Sequence, residues 1–424
     1  MTEIDVDPEP VARALAQTSA VAPPAAAATP LRLTPAWRDR ALIVLFITTL
    51  FCPLAILTLR LESTVGMFEN RAKQPFPRPA LTTAALNNYP RQFRNWWQDN
   101  FGGRGMLIRW NARLRVQMLG LSTDLVVVGK DGWYYYDDYG SIESYRAVDL
   151  MSPAYLDAWR TALQDRHDWL AQRGTRYYYY LAPGKATIYP EYLPQRINRV
   201  GEQSRLDQLM AEMRRHSTVN MLDMRPALLA AKADGLQYYK TDTHWNLRGS
   251  AVAAAVVGQA LQRDFPAVQP LDLTQCTIEQ APYCGDLMGM LALHQLVFES
   301  QPIVIPPQGI LATEADLVNG MITITRTDAA ARDLPTGLCV GDSFMMKQIP
   351  YLAVHFRKMT FYWCDYLDPQ WVKDGKPDVV VQELVERRLT DYWPLNPAEI
   401  SGHAARQPVP PKLEDAPTFH REGR

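Results

Sequence analysis

The stretch that decides the fold class is Leu338-Cys339-Val340-Gly341-Asp342-Ser343-Phe344, LCVGDSF. Its first three residues are apolar and uncharged and read as a short buried strand. Gly341 allows a sharp turn out of that strand. Ser343 then stands where a strand ends and a helix begins. A hydroxyl there is exposed, and backbone N–H groups lie near any oxyanion that forms on an acyl group it attacks. The string taken alone equally suits a serine that caps the following helix.

Working outward, strand and helix signals alternate. Asp124–Val128 and Trp133–Tyr136 flank Gly129-Lys130-Asp131-Gly132, a hairpin turn of the Asp-Gly kind. Pro153–Arg173 reads as a helix opened by Ser152, with proline at its first position. Arg176–Ala182, RYYYYLA, is a strand ending in the turn Pro183-Gly184-Lys185. An amphipathic helix over Leu206–His216 and a short strand over Val219–Leu222 follow. Leu247–Leu261 is a helix of small residues, in which Gly249 and Ala253 permit close packing on a sheet. Further strands are expected within Leu338–Gly341, Val354–Trp363 and Pro377–Val381. This alternation predicts an α/β layered domain with a largely parallel sheet.

A second chemical string, Thr241-Asp242-Thr243-His244-Trp245-Asn246, precedes the small-residue helix. In an extended or looping segment, residues two apart project to the same side. Asp242 can then accept from His244 Nδ1–H, fixing the tautomer and supporting the imidazolium formed during proton transfer. A surface or capping pair has the same spacing. In an α/β pattern, however, both strings fall where strands end, which is where such folds gather their active sites.

Composition narrows the function. The formal net charge of -1 gives no basic excess for nucleic acid. The seven histidines include no pair at HxxxH or HExxH spacing, so neither a metal nor any other cofactor is expected. Ala41–Leu59, ALIVLFITTLFCPLAILTL, is uncharged and bounded by Arg40 and Arg60. About 19 residues just span a ~30 Å hydrocarbon core. Twelve of them are Leu, Ile, Val or Phe, which together favour insertion by about 5 kcal/mol. No small-x-small cleavage site follows, so the segment is expected to be an uncleaved anchor. Arg32, Arg38 and Arg40 before it balance Arg60, Arg71, Lys73 and Arg78 after it, and charge does not set the orientation. The expected organisation is a disordered cytoplasmic tail (1–40), an anchor (41–60), a linker (61–90), one catalytic domain (91–395) and a disordered tail (396–424). The helical pattern begins at Tyr89, and its stripe of Phe93, Trp96, Trp97 and Phe101 reads as core. Cys276 and Cys284, in a polar stretch, are expected to close a disulfide worth ~2–3 kcal/mol in an oxidising compartment. Cys339 and Cys364 read as buried small hydrophobes.

Together the strings resemble a known family. GDS after a buried strand, with D-x-H on another loop, is similar to the SGNH hydrolase superfamily. Five pieces carry a closer resemblance to the alginate O-acetyltransferase group of AlgJ/AlgX-type proteins: Gly129–Trp133, Thr241–Trp245, Gly285-Asp286-Leu287, Gly341–Phe344 and Pro377–Arg387. The resemblance implies an SGNH-hydrolase-like three-layer α/β domain. It implies Ser343 as acyl nucleophile, His244 as general base and Asp242 as orienting acid. The order Asp, His, Ser departs from ordinary SGNH hydrolases, which begin with the serine block, and matches the permuted arrangement of the acetyltransferases. No extra carbohydrate-binding module is evident after Arg387. The function implied is transfer of acetyl groups to hydroxyls of an exported polysaccharide, from the periplasmic face of a bacterial inner membrane. A multi-span acyl-transporting membrane protein is then the implied acetyl source, and other polysaccharide secretion proteins are implied partners. The alternatives are an acetyl esterase with the same three residues, or a carbohydrate-binding scaffold without catalysis. Lys185, Trp245 and Arg387 are the candidate substrate contacts. Each has a plainer reading as turn residue, packing support for His244 or surface ion pair. The Ser343 N–H is the first expected oxyanion donor, and Asp342 is expected to cap the turn.

Overall fold

The computed structural model describes residues 35–59, 73–78, 82–138, 140–307 and 321–401. Most of both expected tails, residue 60 of the expected anchor, and residues 61–72 and 79–81 of the expected linker lie outside them. Two compact units divide the chain, one ending at Arg104 and the other beginning at Gly105.

The first unit contains α1 (Pro35–Thr58) and α2 (Thr83–Asn100). Within α1, Trp37–Thr58 is long and apolar enough to cross a membrane, and its apolar side chains are exposed. Helix α2 begins at Thr83 rather than Tyr89. Thr82 supplies the cap, its Oγ1 accepting from Ala85 N–H at 3.3 Å, so Pro90 lies inside the helix rather than in its first turn. The aromatic stripe does not form a core. Phe93 is exposed and Trp96, Trp97 and Phe101 are half-buried. They pack on one another and on Phe76, whose ring meets Trp96 edge-on at 4.8 Å.

The second unit opens with α3 (Arg104–Ala112), which continues as a wider turn over Arg113–Met118. A hairpin of β1 (Val126–Val128) and β2 (Tyr134–Tyr136) follows. Its turn places Asp131 at φ 52° and Gly132 at φ 78°, the left-handed pair that matches strand twist in a two-residue loop. The main sheet is built from β3 (Arg176–Ala182), β4 (Asn220–Leu222), β7 (Met321–Thr325), β8 (Thr336–Gly341), β9 (Lys358–Trp363) and β10 (Val379–Val385). Two further strands, β5 (Thr277–Tyr283) and β6 (Glu299–Ile305), form a separate antiparallel pair. The sheet order is β4-β3-β10-β8-β9-β7, and every pair is parallel except β7 with β9. The central strand β10 is buried along its whole length, as a sheet covered on both faces requires. Tyr178 and Tyr180 of β3 point into one core, and Tyr177 and Tyr179 into the other. Helices α4 (Pro153–Ala171) and α5 (Arg205–His216) cover the second of these faces. Helices α6 (Leu247–Asp264) and α7 (Ser343–Leu352) cover the first. The expected three-layer α/β architecture is thus present, with β3, β10 and β8 ending at one edge of the sheet.

Small residues in α6 do admit neighbours closely. A Cβ on Gly249 would stand 2.2 Å from the Gln237 carbonyl oxygen, and one on Gly258 would stand 2.3 Å from His355 Nε2. The domain also extends past residue 395. Buried Arg166 donates from Nε to Asn396 Oδ1, and Asn396 Nδ2 donates to the Ala162 carbonyl at 2.8 Å, so residues 396–401 are folded onto α4.

The expected disulfide is corrected. Cys276 and Cys284 are both free, because the segment between them is not a loop but strand β5. Eight residues at ~3.3 Å rise hold the two cysteines ~26 Å apart, whereas a disulfide needs Cα atoms within about 7 Å. Cys339 is buried as expected, but Cys364 is only half-buried. Both Cys276 and Cys284 will therefore alkylate without prior reduction, and peptide mapping of protein from an oxidising compartment checks this.

Candidate active site

The loop carrying Asp242 and His244 is fixed from several sides. Asn246 ends it by capping α6, its Oδ1 accepting from Arg248 N–H at 2.9 Å and Gly249 N–H at 3.0 Å. Glu299 at the start of β6 accepts from the backbone N–H groups of Lys240 and Thr241, both at 2.8 Å. Beneath the loop, Gly285 approaches so closely that a Cβ would stand 2.2 Å from the Thr241 carbonyl oxygen. Asp286 then accepts from Thr243 N–H at 2.8 Å and Thr243 Oγ1 at 2.7 Å. The Gly285-Asp286-Leu287 piece of the resemblance is thus a brace for this loop.

Ser343 is placed by the turn between β8 and α7. Asp342 caps the helix, accepting from Phe344 N–H at 2.7 Å, and its second oxygen accepts from Val385 N–H at 3.0 Å. Its own N–H donates to Glu383 Oε2 at 3.1 Å. The capping role expected of Asp342 is therefore extended by a tie to the end of β10. Burial and the neighbouring Asp342 push the Glu383 carboxyl well above its usual range. Gly341 is required here, since a Cβ would lie 2.7 Å from Glu383 Oε2 and 2.8 Å from Met345 Cβ.

The two strings meet although 99 residues separate them. His244 Nε2 lies 2.7 Å from Ser343 Oγ, and His244 Nδ1 lies 2.6 Å from Asp242 Oδ1. The same carboxylate oxygen accepts from the His244 backbone N–H at 2.9 Å. The other carboxylate oxygen accepts from the Asp286 N–H at 3.2 Å and the Tyr283 hydroxyl at 2.5 Å. Burial alone would raise the Asp242 carboxyl. The hydrogen bond and charge of His244, the Lys347 ammonium and the Tyr283 hydroxyl reverse this and hold it well below the usual carboxylate range. Asp242 therefore stays ionised beside the imidazole. Ser343 is the first residue of α7, and an N–H at that position has no acceptor within the helix. It is free to meet an oxyanion.

Tyr283 and Lys347 were not singled out by the sequence reading. Lys347 lies one helical turn beyond Ser343 on α7, so the i, i+4 spacing was available as a signal. Its Nζ sits 5.5 Å from the centre of the Tyr283 ring and 5.3 Å from that of Tyr239, which stack on each other at 4.2 Å. Tyr283 comes from β5, and its contact with Asp242 depends on tertiary structure alone.

The candidate substrate contacts divide. Trp245 is fully buried and donates from Nε1 to the Phe344 carbonyl at 3.1 Å, so it packs under His244 and offers no surface to a sugar. Lys185 is neither a solvated turn residue nor an exposed cation. It is buried, and Nζ donates to the Tyr134 carbonyl at 2.6 Å and the Lys240 carbonyl at 3.2 Å. Burial pushes its ammonium down to about 8, against the pull of Asp242, Glu299 and Asp286. Arg387 remains at the surface of the site. Its guanidinium lies 5.7 Å from the Tyr136 ring centre and 5.6 Å from that of Phe344, with Asp138 at 3.5 Å. Arg387, Tyr136 and Phe344, with Tyr145, Thr187 and Thr243, line an open cleft. Asp242, His244 and Asp286 are close enough to share a cation. Their oxygens and Nδ1 already serve the hydrogen bonds above, and a cation there would replace the His244–Asp242 contact.

Residues 126–325 match the family described as SGNH hydrolase-like domain, acetyltransferase AlgX. The fold is SGNH hydrolase-like. The match includes Asp242 and His244 and stops before Ser343. The chain is similar to a probable alginate O-acetylase AlgJ from Pseudomonas syringae pv. tomato, 25% identical over 342 residues, covering 77% of this chain and 84% of the relative. A second relative of the same name, from Pseudomonas putida, is 28% identical over 280 residues, covering 62% and 70%. The solved O-acetyltransferase domain of Pseudomonas putida AlgJ aligns with 65% of this chain and 98% of its own, at 21% identity and a TM-score of 0.43. The resemblance to the AlgJ/AlgX group holds, and the chain is an acyltransferase-class enzyme.

Tyr283→Phe removes one donor to Asp242, and Lys347→Met removes one nearby positive charge. Each change makes Asp242 a stronger acceptor and stabilises the protonated imidazole. The acid limb of the pH–rate profile will therefore move to higher pH in both variants. Initial rates with an activated acetyl ester across pH measure the shift in both variants.

Proposed function

We propose that this chain transfers acetyl groups to hydroxyls of an exported polysaccharide through an acetyl-Ser343 intermediate. The observation that carries the reading is the continuous path from Ser343 Oγ through His244 to the buried Asp242 carboxylate. In the first half-reaction, His244 Nε2 takes the Ser343 proton as Oγ attacks the donor's acetyl carbonyl. The Ser343 N–H faces the oxyanion as it develops. Collapse expels the donor's leaving group, which receives the proton from His244. In the second, a sugar hydroxyl attacks acetyl-Ser343 and gives its proton to His244, releasing the ester and restoring the serine. Asp242 holds the imidazole in the tautomer that needs Nε2 free.

The relatives are named alginate O-acetylases, which supports a polysaccharide acceptor here. Arg387 and the aromatic cleft beside Phe344 are the surface offered to it. The Trp37–Thr58 helix supports a single-pass anchor, and an acceptor that is exported puts the second unit on the periplasmic side. On that side acetyl has to be delivered through a membrane-spanning acyl carrier, and other secretion proteins would present the polymer.

Ser343→Ala will abolish transfer and the acetylated active-site peptide, while leaving thermal stability unchanged. Asp242→Asn will retain the geometry but favour the wrong tautomer, at a cost of ~10⁴ in rate. The double variant Ser343→Ala/His244→Ala will be scarcely worse than either single change, because the residues act as a unit. Mass spectrometry of protein incubated with an acetyl ester and an oligosaccharide reads each outcome. Full activity in Ser343→Ala would place the nucleophile elsewhere.

A further inference from the structure

The helix that opens the second unit carries an outward apolar row. Met106, Trp110, Leu114 and Met118 follow one another at four-residue spacing and are 53%, 63%, 48% and 76% exposed. Leu107 beside them is exposed as well. The opposite side of the same helix is already satisfied. Ala112 and Val116, also four apart, turn inward and pack in a core with Val126, Tyr134, Leu287 and Met288. The exposed row is therefore surplus to folding, and a helix surface of this kind calls for a partner.

Charge identifies that partner. At ~100° per residue, Arg109 and Arg113 fall on one flank of the row, and Arg104 and Arg115 on the other. No acidic residue occurs between Arg104 and Thr123. Arg109, Arg113 and Arg115 enter no ion pair among the described residues. Apolar side chains with an arginine border on both sides, tryptophan among them, match a surface that is apolar below and anionic above. A second copy of the chain fits poorly, because a two-fold pairing of this face would bring the arginine borders together. The same chain also carries a helix able to span a bilayer, which keeps a lipid surface within its reach.

We propose that the helix from Arg104 to Met118 lies in the interface of an anionic membrane, with Met106, Leu107, Trp110, Leu114 and Met118 in the acyl boundary and the arginines at the headgroups. The second unit then touches the bilayer directly instead of hanging from a free tether. This contact is independent of acyl transfer, and its test reads lipid proximity only.

The full chain is reconstituted in vesicles of equal parts phosphatidylethanolamine and phosphatidylglycerol containing a photoreactive phosphatidylglycerol. Peptide mapping after illumination is expected to find lipid adducts within 106–118, as well as within the 37–58 span. The pair Leu107→Glu and Leu114→Glu, both at exposed positions, will lower adducts at 106–118 by roughly tenfold, while those in the span stay unchanged. The pair Arg109→Gln and Arg113→Gln keeps the apolar row. It will lower adducts in these vesicles and leave them unchanged in phosphatidylcholine vesicles that carry a photoreactive phosphatidylcholine instead. Adducts confined to the span overturn the proposal. So do adducts at 106–118 that the two glutamate substitutions leave unchanged.

Discussion

Asp242 has two carboxylate oxygens, and most of the site is arranged by what they accept. One oxygen faces His244, taking both the ring Nδ1–H and the backbone N–H of the same residue. The other takes Tyr283 and the N–H of Asp286. A carboxylate this buried would ordinarily be driven toward its neutral form. Four donors and a nearby ammonium keep it charged, and that charge fixes the imidazole. The donors come from separate parts of the chain, so the acid–base loop is held in place by the carboxylate it presents. Removing Asp242 would strand several polar groups at once, not one.

The nucleophile depends on a second carboxylate arrangement of opposite character. Asp342 ties the turn after β8 to the end of β10, and Glu383 beneath it is pushed toward its neutral form by burial and by Asp342. Gly341 admits Glu383 into the space a side chain would fill. Ser343 is therefore positioned by the sheet, whereas His244 is positioned by loops and a hairpin above it. The 2.7 Å contact between them joins two independently braced halves.

Much of this was legible in the sequence. The strands, the small-residue helix and the LCVGDSF turn are local patterns, and burial on both faces made the central strands nearly continuous apolar runs. Asp242, His244 and Ser343 could be named only because D-x-H and strand–Gly–Ser occur together and resemble the AlgJ/AlgX group, since each string alone also suits a cap or a surface pair. Other features were hidden because they depend on distance in the chain. Strand β5 contains Pro282 and Glu279 and is largely exposed, so it shows no buried periodicity, and two cysteines at its ends looked like the ends of a loop. Lys185 lies in a Pro-Gly-Lys turn that reads as solvated, yet the hairpin of β1 and β2 and the Asp242 loop close over it. Trp245 is an aromatic residue beside a catalytic-looking histidine, and nothing local distinguishes a packing role from a sugar platform.

The pair β5–β6 holds the acid–base loop from one end of its ladder, where Tyr283 and Glu299 stand opposite each other and bind Asp242 and the backbone of Lys240 and Thr241. It contributes no strand to the main sheet, and β5 is largely exposed. Local opening of such a pair costs far less than global unfolding. Catalytic competence in this fold accordingly rests on a strand pair outside the sheet that positions the nucleophile, and the acid–base loop is open to local loss while the sheet remains intact.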